Sequence, residues 1–125
     1  MDPSIARRLA SPDFYLHALD GTVAQFMPMD RAAYRRSIFL DHRISMAEGE
    51  PFGLDLAGAA GFLPDAQPVG WIFHVAHCGS TLLARALEEL TGTLVLREPV
   101  ALRQLALGSN RQALPAVLAL LARRY

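Results

Sequence analysis

An apolar run that leads directly into a small turn and an amphipathic segment restricts the fold of this chain most strongly. Residues 69–77, VGWIFHVAH, are rich in β-forming apolar types, which is typical of a strand buried on both faces. Within residues 82–90, Leu83, Leu87 and Leu90 recur at helical spacing and would form one apolar face. The pattern predicts a strand, a tight turn and a helix in succession.

A second strand and helix follow at the spacing of a βαβ unit. Residues 93–96, TLVL, form a short apolar run, and Pro99 suits the first turn of a helix that continues to about Ala106. Residues 111–125 then predict a last helix rich in Leu and Ala. Such alternation is typical of an α/β fold with a parallel sheet. We therefore predict two adjacent parallel strands, with the turn after the first strand and Glu98 after the second at one edge of the sheet.

The segment before this unit contains a hairpin signal. Asp20-Gly21 lies between the runs FYLHALD and TVAQFMP, and both turn positions of such a dipeptide favour positive φ. We predict a β-hairpin over residues 14–28. A helix beginning at Ser11-Pro12 is the competing interpretation.

Short helices and loops are expected in the rest of this segment. Asp30 is a good N-cap for a helix over residues 31–37. Residues 45–68 hold four Gly and three Pro, which indicates loops with one short helix near residues 54–60.

Composition excludes several classes of protein. Of the 125 residues, 52% are hydrophobic and the net charge is zero, which argues against disorder, nucleic-acid binding and binding to an anionic membrane. All 12 basic residues are Arg, so chemistry that needs a lysine is excluded. Residues 1–68 carry nine acids and six Arg, whereas residues 69–125 carry three acids and six Arg, so an anion is expected in the later half. A single cysteine, Cys78, and the lack of a leader or membrane-spanning segment predict a soluble, cytoplasmic protein.

The turn after the first predicted strand has the chemistry of an anion site. The start of a helix offers free N–H groups and the positive end of its dipole. Gly79 would let the backbone approach an oxyanion, and Ser80 and Thr81 add hydroxyl donors. An ordinary helix cap and tight turn explain the same residues.

Two well-known phosphate loops fit poorly. A Walker A loop needs Lys before its Ser or Thr, and Gly79 is followed by Ser80 instead. A cysteine phosphatase would place Arg six residues after Cys78, where the chain has Ala84, with Arg85 one position too far.

Two segments resemble the sulfotransferases, which use 3′-phosphoadenosine 5′-phosphosulfate (PAPS). FHVAHCGSTLLARAL resembles their 5′-phosphosulfate-binding loop, with His77 where Lys or Arg is usual. LVLREPVALR is similar to the strand–Glu–helix segment of tyrosylprotein sulfotransferases, and Glu98 falls at the catalytic glutamate. The chain looks most similar to uncharacterised bacterial sulfotransferase-like proteins.

The resemblance implies a fold and a division of the chain. Residues 1–68 would be an N-terminal segment with a hairpin and short helices. Residues 69–125 would begin a P-loop-like, three-layer domain with a parallel sheet. Because the elements that bind the 3′-phosphate in this family do not occur, we expect an N-terminal fragment, or a shortened product, of a longer enzyme.

The resemblance also implies roles for residues. Glu98 would be the base that deprotonates an acceptor hydroxyl, and His77 would stabilise charge on the leaving oxygen. No metal is needed. Glu98 as a structural carboxylate, a P-loop kinase and a non-catalytic partner-binding module remain as alternatives. His74, Trp71 and the phenylalanines of the first strand are expected in the core. The residues implied in cofactor binding are His77, Cys78, Gly79, Ser80, Thr81, Leu82 and Arg85.

Overall fold

The computed structural model describes residues 2–75, 77–108 and 110–125, and within them the chain is a mixed α/β protein. Six helices, three strands and two 3₁₀ turns are described there. None of these helices is long and apolar enough to cross a membrane. In chain order, the elements are α1 (Pro3–Ala10), β1 (Phe14–Asp20), β2 (Val23–Pro28), α2 (Arg31–Arg36), β3 (Phe52–Asp55), α3 (Leu56–Ala59), a 3₁₀ turn (Ala60–Phe62), α4 (Ser80–Thr91), α5 (Val100–Leu107), a 3₁₀ turn (Arg111–Ala113) and α6 (Leu114–Leu121).

The hairpin prediction is confirmed. β1 and β2 pair in antiparallel fashion from Phe14 opposite Pro28 to Asp20 opposite Val23. The two-residue turn is Gly21-Thr22, one position later than expected, and Gly21 has a φ of 60°. Glycine suits this position because it adopts the left-handed backbone conformation without the steric cost of a Cβ atom.

A third strand joins the hairpin and was not predicted. β3 pairs antiparallel with β2, so the sheet order is β1-β2-β3. Its four residues include Gly53, and α3 begins directly after Asp55, so the strand has little sequence pattern of its own. The two short helices are confirmed nearby: Asp30 caps α2 by accepting a hydrogen bond from the Ala33 N–H at 2.6 Å, and α3 lies at residues 56–59.

The C-terminal helices cover this sheet. The Gln104 side chain of α5 joins the β1 backbone by two hydrogen bonds, because Leu19 N–H donates to Oε1 at 2.7 Å and Nε2 donates to Leu19 O at 2.9 Å. Residues of the sheet and of both helices share one apolar core. Its buried members are Leu9, Leu16, Ala24, Phe26, Ala59, Ala101, Leu105, Ala113, Val117 and Leu120.

A buried arginine links the end of α6 to the start of the chain. Arg123 donates hydrogen bonds to the carbonyl oxygens of Leu9 at 3.1 Å and Phe14 at 2.6 Å, and also to Ser11 O. Burial lowers the pKa of this guanidinium to about 10. The hydrogen bonds to these backbone carbonyl groups offset the free-energy cost of burying the charged guanidinium.

The two strands expected of a parallel sheet are absent from the residues that the structure describes. Residues 69–75 and 93–96 carry no regular secondary structure, and Ala76 lies outside the described residues. The prediction for the helix between them was correct: α4 ends at Gly92, whose φ is 66° and whose N–H donates to Glu88 O. The predicted buried face of α4 was wrong, since Leu90 is 84% exposed and Ala84 is the buried residue.

Candidate functional site

The first turn of α4 carries the predicted anion loop. Gly79 is the N-cap residue with a φ of 85°, and no described side chain caps the amides that follow it. A Cβ at Gly79 would meet no atom within 4 Å, so the space above this backbone is open. An open, uncapped helix start with its positive dipole end fits an oxyanion.

A cleft of about 770 Å³ lies beside this turn. Ser80 and Thr81 line it from α4, and Glu98 lines it from the start of the connection to α5. The structure thus brings a hydroxyl pair and a carboxylate to one cavity, although 17 positions separate Thr81 from Glu98 in the chain. Volumes in this range are common for ligand sites.

The remaining predicted ligands do not line the cleft. His77, Cys78, Gly79, Leu82 and Arg85 are all exposed and absent from its wall. Their place on the loop and on the outer side of α4 leaves them open to solvent.

Two of the residues that the resemblance assigns to the site hold an uncommon backbone conformation. His77 has a φ of 59° and Glu98 a φ of 53°, and no other described residue besides glycine has a positive φ. Residues other than glycine rarely adopt a positive φ, and those that do occur often at functional sites. Both residues lie where a predicted strand was expected to end.

The Glu98 carboxylate is available for chemistry. Its side chain is half exposed, and Arg43 Nη2 lies 4.0 Å from Oε2. Arg43 is engaged elsewhere, since it lies 2.6 Å from Asp41 Oδ2. Glu98 is therefore placed near a cation without being held by it.

Arg97 has a structural position that the sequence did not indicate. Arg97 is almost fully buried, with only 8% of its surface exposed. Its Nη2 donates to the carbonyl oxygen of Ser37 at 2.7 Å, and its Nη1 lies 3.8 Å from Glu88 Oε2. Burial lowers the pKa of Arg97, while Glu88 opposes that shift. The hydrogen bond from Arg97 to Ser37 thus connects the backbone next to Glu98 with the end of α2.

His74 lies beside the predicted anion loop and not in a buried strand. The apolar pattern placed it in a buried strand, together with Trp71 and Phe73. All three are exposed, and Phe73 is 90% exposed. His74 Nδ1 lies 3.3 Å from Ser80 Oγ, and both residues line the cleft.

No cluster of three or more His, Cys, Asp or Glu side chains with metal-binding geometry occurs among the described residues. Comparison with known proteins returned no matching family model, no matching curated protein and no matching solved structure.

Proposed function

We propose that this chain carries the phosphosulfate-binding site of a PAPS-dependent sulfotransferase that acts on an acceptor hydroxyl. The observation that carries the proposal is the shared cleft, which is lined by Ser80 and Thr81 from the open start of α4 and by Glu98 from the segment before α5. Anion binding and proton removal need these two sets of groups side by side.

The start of α4 would bind the anion. PAPS supplies an activated sulfuryl group when bound. The backbone N–H groups of residues 80–82 and the hydroxyls of Ser80 and Thr81 would hold the 5′-phosphosulfate. Gly79 leaves room for its oxygens, because no atom lies within 4 Å of the position of its missing Cβ.

Glu98 would accept the proton of the acceptor hydroxyl. Its side chain is about half exposed, and Glu98 lines the cleft that Ser80 and Thr81 also line. A general base in this position typically contributes about 10²–10⁴-fold in rate. Arg97 would hold the backbone of Glu98 in place through its bond to Ser37 O.

The cytoplasm is the proposed compartment, since the exposed, unpaired Cys78 suits a reducing environment.

Nucleotide binding tests the anion loop. Calorimetry on the longer enzyme that the resemblance implies should show binding of adenosine 3′,5′-bisphosphate to the wild type and a lower affinity for Gly79→Ala, whose Cβ would take up space left for the anion. Gly92→Ala is the matched control: Gly92 also has a positive φ and an open Cβ position, at the other end of the same helix. Both substitutions carry a similar backbone cost, so equal affinities in the two variants would refute the role of the loop.

Sulfate transfer tests Glu98. In an assay of the longer enzyme that the resemblance implies, with PAPS and a panel of hydroxyl acceptors, Glu98→Gln should lower transfer about 10²–10⁴-fold and leave nucleotide affinity unchanged. Glu89→Gln is the control, because Glu89 is exposed on α4 and pairs with Arg35 at 3.1 Å. Full activity of Glu98→Gln would contradict the assignment.

The same experiments separate the rival functions. Magnesium-dependent binding of ATP in preference to adenosine 3′,5′-bisphosphate would favour a kinase-type protein. Nucleotide binding without transfer to any acceptor would favour a binding module over an enzyme.

A further inference from the structure

The cleft beside α4 has walls that are largely apolar. Its volume of about 770 Å³ is in the range of sites that bind small organic molecules. The apolar side chains come from residues 69–72, from α4, from residues 94–96 and from α5 and α6. They include Trp71, Ile72, Leu87, Leu94, Leu102 and Leu118.

The protein covers these side chains only in part. Trp71 is 54% exposed, and the four leucines are half-buried. A ligand with an apolar body would remove this surface from water, which is the main favourable contribution to binding in an apolar cleft.

Most polar side chains of the same walls are already bonded within the protein. Thr91 Oγ1 donates to Leu87 O, and the Tyr125 hydroxyl donates to Asp13 Oδ1 at 2.6 Å. A sugar would bring several hydroxyls into the cleft, and each one without a partner would lose its hydrogen bonds to water at a cost in free energy. The walls therefore suit an apolar ligand better than a carbohydrate.

The arginines of the walls are also engaged. Arg97 donates to Ser37 O at 2.7 Å. Its Nε and Nη1 make no hydrogen bond among the described residues, but both atoms are closed to solvent, and Glu88 Oε2 lies 3.8 Å from Nη1. Arg124 is exposed and donates to Pro68 O at 2.6 Å. An anionic group on the ligand would thus find no buried cation that it can reach in the described walls.

We infer that the cleft binds an uncharged alcohol with an apolar body, and that this alcohol is the acceptor of the sulfuryl group. The acceptor role rests on the proposed function, because it needs the phosphosulfate at Ser80 and Thr81. The apolar body lies against Trp71 and the leucines, and the hydroxyl lies towards Glu98, the only carboxylate side chain in the described walls. The alcohol oxygen bonds to sulfur while the bond from sulfur to the phosphate oxygen of PAPS breaks, and the hydroxyl proton passes to Glu98. The products are a sulfate ester and adenosine 3′,5′-bisphosphate.

Binding of octanol to this chain tests the inference without any nucleotide. Trp71 is the only tryptophan and lines the cleft, so its fluorescence reports on the site directly. Octanol should move the Trp71 emission to shorter wavelength, because the partly exposed indole loses contact with water. Glucose at the same concentration should cause no shift, and an equal shift with glucose would overturn the preference for an apolar body.

Two leucines of α4 form a matched pair for this measurement. Leu87 lines the cleft, whereas Leu90 is 84% exposed and does not line it. Leu87→Gln should weaken octanol binding about tenfold, because it replaces apolar contact with a polar group, and Leu90→Gln should bind as the wild type does. If thermal unfolding shows that Leu87→Gln does not fold, Leu94→Gln takes its place. Equal affinities in the cleft variant and in Leu90→Gln would overturn the cleft as the site.

Two related phenols test the absence of charge. The first is para-propylphenol, and the second is para-hydroxyphenylpropionate, which carries a carboxylate in place of the terminal methyl group. Calorimetry should show binding of the first and binding about tenfold weaker for the second, because the carboxylate must leave water without gaining a cation. Equal or tighter binding of the carboxylate would overturn the uncharged class.

The outcomes distinguish this inference from the proposed function. Nucleotide binding by the longer enzyme, without binding of octanol or para-propylphenol, overturns the inference and leaves the proposed function standing. Binding of both alcohols without binding of adenosine 3′,5′-bisphosphate supports the cleft as an alcohol site, and it overturns the acceptor role together with the proposed function. Transfer of sulfate to glucose in preference to both alcohols overturns the inference alone.

Discussion

The antiparallel sheet and the segment that precedes α4 have similar apolar sequences and opposite environments. Phe26 in β2 is 1% exposed and stacks on Phe52 with ring centroids 5.0 Å apart. Phe73 is 90% exposed, and its neighbours in residues 69–75 make no backbone ladder in the described part of the chain. Apolar composition therefore shows what a segment is suited to, whereas burial depends on a partner being present.

The difference follows from where the partners lie. β1 and β2 are joined by two residues, so they pair at little cost in loop-closure entropy. A parallel pair made by residues 69–75 and 93–96 needs a crossover and cover on both faces. Helices α5 and α6 also pack against the antiparallel sheet and bury one of its faces.

The largest expected effect compares two phenylalanines. Phe26→Ala should lower the free energy of unfolding by about 3–5 kcal/mol, because it removes a large side chain from the core. Phe73→Ala makes the same chemical change at an exposed position and should change it by less than about 0.5 kcal/mol. Urea unfolding measures both. Equal losses in the two variants would show that Phe73 is packed in solution, and would contradict the difference in burial between the sheet and residues 69–75.

Two adjacent arginines give the next effect. Arg123→Met should cost about 2–3 kcal/mol of unfolding free energy, because several buried carbonyl groups lose their donor while relief of a buried charge offsets part of the loss. Arg124→Met is the control, since Arg124 is exposed and donates only to Pro68 O among the described residues. A cost for Arg124→Met as large as that for Arg123→Met would contradict the role of Arg123 as the link to the first strand.

A helix cap gives a smaller effect. Asp30→Ala should destabilise the protein by about 1 kcal/mol, because the Ala33 N–H at the start of α2 loses its acceptor. Asp65→Ala, at an exposed position without regular structure, should have almost no effect. Thermal unfolding of the two variants measures the difference, and an unchanged melting temperature for Asp30→Ala would refute the cap.

The smallest effect is pH-dependent and concerns His17, the bulged residue of β1. Burial lowers the pKa of His17 in the folded protein, against a weaker opposing effect of Asp41. The unfolded chain then binds more protons below about pH 6.5, so this contribution to stability is complete above that pH and decreases as the pH falls.

Unfolding at about pH 7.5 and about pH 5.5 checks this sign. The loss of stability on acidification should be smaller for His17→Gln than for the wild type. His42→Gln, at an exposed histidine, should behave as the wild type. A His17→Gln variant with the same loss as the wild type would show that His17 does not titrate differently in the folded state.

Local signals predicted the elements whose partners are close in sequence. The Asp20-Gly21 signal located the hairpin, although the turn moved by one residue to Gly21-Thr22. Asp30 located α2, and Gly92 located the end of α4. Each signal depends on backbone conformation or on a hydrogen bond within a few residues, and both are encoded locally.

The site could be predicted in part for the same reason. Gly79 and the start of α4 were readable from the sequence, because a helix start follows from local pattern. The position of Ser80, Thr81 and Glu98 in one cleft, the burial of Arg97 and the contact of His74 with Ser80 were not readable. They depend on how separate segments pack, and no short pattern specifies that.

The sequence by itself determined the hairpin, α2 and the ends of α4, since turn and cap energies act over a few residues. Only the tertiary structure decided that β3 joins the sheet, that α5 and α6 cover it, and that Leu83 and Leu90 of the apolar stripe of α4 stay exposed. Burial is a competition among all apolar surfaces of the chain, and the stripe of α4 loses this competition to the helices that reach the sheet.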